Sequence, residues 1–179
     1  MGRYTYPEHD VMVLNLLEHF EASDGDGETW YRESRRTARR LARENDRTLS
    51  CAAGVIAALS PQVRWAENVR MAEEVMRTGE TTGLGLSRDR AWRIWLGERP
   101  LRVLGGPKTR AFYRAMMGDE NAAVIDTWML FALGWPTSSI SPKNYEKCAD
   151  ALREAARLAN TGTSTFQAMV WTQVRGGAS

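Results

Sequence analysis

A lysine and a carboxylate, Lys108 and Asp126, stand 18 residues apart, each at the start of a segment that reads as a helix. An amine can attack an electrophilic carbon and form a Schiff base, which a permanently protonated arginine cannot do. A carboxylate in a low-dielectric site can stabilise developing positive charge, or take a proton from water or an amine. Lysine is rare in this chain, at 108, 143 and 147 only, against 21 arginines, so its use at 108 is informative. Leu104-Gly-Gly-Pro leads into Lys108-Thr-Arg and predicts a helix, a tight glycine turn and a second helix. Gly105 and Gly106 are expected to allow φ > 0 and to leave amide hydrogens uncovered. Those amides, with the dipole of the helix that follows, would offer a place for a phosphate. Asp126 follows the apolar pair Val124-Ile125 and is expected to cap a helix.

The elements that must position these groups read as all-helical. Apolar residues at helical spacing predict helices over about 7–22 and 28–45, the latter with Trp30, Tyr31, Ala38, Leu41 and Ala42 on its apolar side. Residues 51–59, capped by Thr48 or Ser50, are apolar all round and belong in the core. Ser60-Pro61-Gln62 breaks that helix, and another follows over about 65–76. A Gly-rich connection covers 78–86, and Ser87 is expected to cap a helix through Trp92, Ile94 and Trp95. The hairpin occupies about 100–117 and the Asp126 helix about 126–134. Two closing helices, about 142–160 and 164–174, precede a Gly-Gly-Ala-Ser tail expected to fray (176–179). The 179 residues fit one domain, 1–179, large enough for a substantial core.

Composition narrows the function. No apolar run approaches the roughly 20 residues of a membrane span, and the first residues lack the apolar core of a signal peptide. Tyr6 stands where a myristoylation signal needs Ser or Thr, so a cytoplasmic protein is expected. Two cysteines, Cys51 and Cys148, read as structural thiols, and their number excludes a four-cysteine zinc or iron–sulfur site. No metal and no cofactor is expected. Between Arg32 and Arg47 seven arginines (32, 35, 36, 39, 40, 43, 47) face only Glu33, Glu44 and Asp46. Such a local excess suits a polyanion, or else a solvated helical face. His9 and His19 read as structural or surface residues.

The hairpin residues and the Val-Ile-Asp-Thr-Trp segment together resemble the helix-hairpin-helix DNA glycosylases of the endonuclease III type. These carry a hairpin similar to L-P-G-V-G-x-K-T-A and then V-D-T-H-V, with the same lysine-to-aspartate separation. Their L-L-S-A-Q resembles Ala58-Leu-Ser-Pro-Gln62 here, and the order of the parts matches over roughly residues 48–175. The chain departs from the pattern in four ways. Its hairpin is two residues shorter, Pro107 removes an amide donor, Trp128 replaces a histidine, and the cluster cysteines are absent. Residues 60–68 and 167–175 look like those of phage-borne relatives.

The resemblance implies an all-α, helix-hairpin-helix glycosylase-like domain that acts as a monomer on double-stranded DNA. Base excision breaks the C1′–N bond through a positively charged sugar. Asp126 would face that sugar and Lys108 would be the amine nucleophile, opening a lyase step. Gln62 would wedge into the duplex, while Gly105, Gly106, Thr109 and Arg110 would hold backbone phosphate. The base must leave the stack to be reached. Of the seven tryptophans (30, 65, 92, 95, 128, 135, 171), Trp128 is the expected wall for it and the others are expected mainly in the core. Two other outcomes remain open: a glycosylase-like phage enzyme that modifies thymine or another base by amine transfer, and a non-enzymatic DNA-binding module.

Overall fold

The computed structural model describes residues 5–83 and 85–176. The N-terminal residues 1–4, Leu84 in the glycine-rich connection and residues 177–179 of the expected frayed tail lie outside that description. The fold is all-helical, with no strand among the described residues. No helix there is long and apolar enough to cross a membrane. Among the described residues ten helices follow in order: α1 (His9–Glu21), α2 (Trp30–Glu44), α3 (Leu49–Leu59), α4 (Trp65–Thr78), α5 (Gly85–Trp95), α6 (Pro100–Val103), α7 (Pro107–Met117), α8 (Thr127–Ala132), α9 (Pro142–Leu158) and α10 (Thr163–Arg175). They group into two compact units. A central unit is Arg32–Gly118, and a terminal unit combines Met1–Tyr31 with Asp119–Ser179.

In the central unit α3 is the axis, packed against α4, α5, α6 and α7. Every residue from Ala52 to Leu59 is buried, as an all-apolar helix requires. The Thr48 side chain accepts from the Cys51 amide at 3.1 Å and so settles which residue caps it. Small residues let neighbours approach closely. A Cβ on Gly54 would stand 2.6 Å from the Pro100 ring. α5 begins at Gly85, so Ser87 lies inside the helix and is buried rather than capping it. The glycine that read as loop is its first residue.

In the terminal unit α1 packs on α9 and α10, and α8 packs on α10. Leu16, Met129, Leu133, Leu152 and Phe166 are the large side chains at the centre of its core. The segment leading to α8 is pinned from two sides. The Ile125 amide donates to the Tyr145 hydroxyl at 3.0 Å, and that hydroxyl donates to the Ala123 carbonyl at 2.8 Å. Burial pushes the Tyr145 phenol up to about 12, so it stays a neutral donor. The Ser164 amide at the start of α10 donates to the Glu120 carbonyl. Among the seven tryptophans only Trp135 is buried, which corrects the expectation that most fill the core. His9 bonds Glu154 at the surface, and His19 bonds Gln173.

Candidate functional site

In the terminal unit Asp126 is half-buried and N-caps α8, its Oδ1 accepting from the Met129 amide at 2.9 Å. Its second oxygen, Oδ2, accepts from the Trp171 indole Nε1–H at 2.8 Å. Both neighbours donate, so the carboxylate is held in orientation and each oxygen keeps a lone pair for another group. The Trp171 ring is held in turn. The Arg175 guanidinium lies 4.3 Å from its centroid, and Trp30 stands 5.8 Å away at 56°. Gln167, Trp171 and Arg175 recur every four residues, placing them on one face of α10.

Tyr31 completes this cluster, donating its hydroxyl to Gln167 Oε1 at 2.7 Å. Burial of the phenol, with the negative charge of Asp126 adding to it, holds its pKa well above the usual value of 10. Tyr31 is therefore a proton-bearing neighbour of the carboxylate at any ordinary pH. Its approach to α10 depends on Gly27, at φ +90°. A Cβ there would come within 2.5 Å of the Ala168 carbonyl and the Thr172 hydroxyl. Trp128, two residues beyond Asp126, is 45% exposed, so its ring is available to stack on a ligand.

The central unit holds the other predicted residues. Gly106 N-caps α7, with Pro107 and Lys108 in the first turn. Lys108 is half-buried and makes no hydrogen bond or ion pair among the described residues. Thr109 is buried, and its hydroxyl donates to the Gly106 carbonyl at 3.2 Å. Arg110 Nε donates to the Leu104 carbonyl at 3.0 Å. Both side chains thus brace the turn itself. Neither Gly105 nor Gly106 has a positive φ, contrary to the expectation for this turn. Gly105 matters for space instead, because a Cβ there would run into the Arg90 guanidinium. Gln62, exposed in the turn after α3, does adopt φ +61°, a left-handed conformation that costs a non-glycine residue on the order of 1 kcal/mol.

Asp126 and Trp128 thus lie in the terminal unit, and Gln62, Gly105, Gly106, Lys108, Thr109 and Arg110 in the central unit. Sequence reasoning missed Tyr31, Gln167 and Trp171 as companions of Asp126. The signal available was the four-residue recurrence of polar and aromatic side chains in α10, where Gln167 is only 3% exposed between buried Phe166 and Ala168. Residues 8–178 match the model of a family of unknown function (DUF7178). No curated protein and no solved structure matches the chain.

Proposed function

The chain belongs to the DUF7178 family, whose function is unknown, so its activity has to be argued from its own residues. We propose that it is a DNA N-glycosylase of helix-hairpin-helix type, acting on a modified or damaged base flipped out of duplex DNA. The observation that carries this reading is the Asp126 carboxylate, fixed by the Met129 amide and the Trp171 indole at the start of the helix that also exposes Trp128.

A carboxylate so oriented suits the reaction. Breaking the C1′–N bond sends the electron pair to the departing base and leaves positive charge on the sugar. A prealigned negative group is worth most in that transition state and costs no reorganisation there. The same oxygens can accept a proton from water attacking C1′. Trp128 offers the flipped base a stacking partner, and Gln62 offers the duplex something to fill the gap. Lys108 adds a second route. Its nitrogen bonds C1′ as the base leaves, the sugar opens to an imine, and elimination then cuts the strand on the 3′ side. The absence of a competing ion pair among the described residues leaves that amine available.

Duplex oligonucleotides, each with one candidate lesion or modified base, test the reading by base release and by borohydride trapping on an abasic site. Free base and a trapped adduct are expected, with the adduct lost in Lys108→Gln. No release across a broad panel would overturn the proposal. A base that stays attached but changes mass would replace excision with base modification.

A further inference from the structure

The arginines of α2 are not equivalent. Arg40 is neutralised, bonding Glu44 at 2.9 Å and Glu73 at 2.7 Å. Arg35 is half-buried, its guanidinium lying where a Cβ on Gly118 would have to go. Arg32, Arg36, Arg39 and Arg43 differ from both. All four are exposed, and none makes an ion pair or hydrogen bond among the described residues. Their spacing of four, three and four residues, at about 100° per residue, confines them to an arc of about 60°. Buried Ser34, Ala38, Leu41 and Ala42 lie on the opposite side of the helix. Glu33 and Glu44 fall on its flank, outside the arc.

We propose that this stripe is the surface by which the protein grips the phosphate backbone of duplex DNA. Four like charges at neighbouring helical positions repel one another, so the arrangement weakens the free helix. A polyanion removes that repulsion and releases counterions from the DNA as it does so. Eleven residues of helix put the outer arginines about 16 Å apart, which matches about five phosphates of one strand at about 3.4 Å of axis each. Guanidinium groups suit phosphate oxygens, which they can engage with two parallel hydrogen bonds. The inference rests on the reading of duplex DNA as substrate, but not on the excision chemistry.

The test is the salt dependence of binding to an unmodified duplex, followed by fluorescence anisotropy between 50 and 200 mM KCl, on the order of the range where such slopes are read. Replacing Arg32, Arg36, Arg39 and Arg43 together by Gln should lower the slope of log K against log salt by about 3 to 4. A control carrying Arg70, Arg93, Arg153 and Arg157→Gln has the same net charge and should keep the slope within about one. The stripe variant should also melt no lower than the wild type, since repulsion has been removed. A stripe variant whose slope equals that of the control overturns the proposal, as does one that loses single-stranded RNA binding and keeps the duplex. Base release at saturating duplex separates the two readings. If it survives an unchanged slope, only the stripe proposal falls. If it is absent while the slope drops as expected, only the excision reading falls.

Discussion

The terminal and central units treat charge in opposite ways. Around Asp126 each polar atom has a partner of known geometry: two donors on the carboxylate, a cation and a ring on the Trp171 indole, and an amide for the Tyr31 hydroxyl. Arg32, Arg36, Arg39 and Arg43 on α2, and Lys108, stand without protein partners among the described residues, unlike Arg40 beside them. A group that must sit within a fraction of an ångström of a reacting atom gains from being tied down. A group that must follow a flexible, repetitive anion gains from being left free, and from a cost that only the ligand relieves. The difference teaches that pairing and lack of pairing are both informative, and that a list of charged residues reveals neither.

Three substitutions sharpen or break that contrast. The largest effect is expected from Asp126→Asn, which keeps a good helix cap but no longer offers two anionic oxygens. Single-turnover base release should fall by about 100- to 1000-fold, with the melting temperature and the duplex Kd little changed. An equal loss of melting temperature would make Asp126 architectural. Trp171→Phe comes next, since it keeps a ring between Arg175 and Trp30 but removes the indole donor. A lost hydrogen bond to a charged acceptor predicts a fall of about tenfold in the chemical step with duplex affinity intact. A change confined to affinity would show that Trp171 binds rather than aligns. The smallest effect belongs to Gln62→Gly, where two readouts should move apart. Relief of the left-handed backbone should leave stability equal or raise it by about 0.5 kcal/mol, while base release drops severalfold. A parallel decline in both would make Gln62 a plain turn residue.

Most of the helical frame was legible because local chemistry writes it. Pro61 and the Gly105-Gly106-Pro107 run end helices, Thr48 and Asp126 start them, and the all-apolar 51–59 segment is buried as its composition demands. The errors have physical causes. Gly85 reads as a loop residue, yet it opens α5 and leaves Ser87 buried inside. Gly105 reads as a conformational need, and is instead a matter of room for a guanidinium from α5. Trp92 was expected in the core and is exposed, because Ser87, Ala91 and Ile94 form the buried side of α5. At the candidate site the sequence yielded Asp126 and its cap. The Trp171 bond is invisible there, because it joins residues 45 apart that meet only when α10 closes on α8.

Residues 32–118 form one continuous unit, whereas the unit that carries Asp126 is assembled from both flanking arms. During synthesis the central helices can settle as soon as they emerge, but α1 must wait for α9 and α10 before its core closes. Bridging those 87 intervening residues as a flexible loop would cost about 4 kcal/mol of chain entropy, and prior folding of the central helices shortens that span. The core around Asp126 therefore closes only after α9 and α10 have emerged, so a truncated or half-made chain would carry the arginine stripe without the anchored carboxylate.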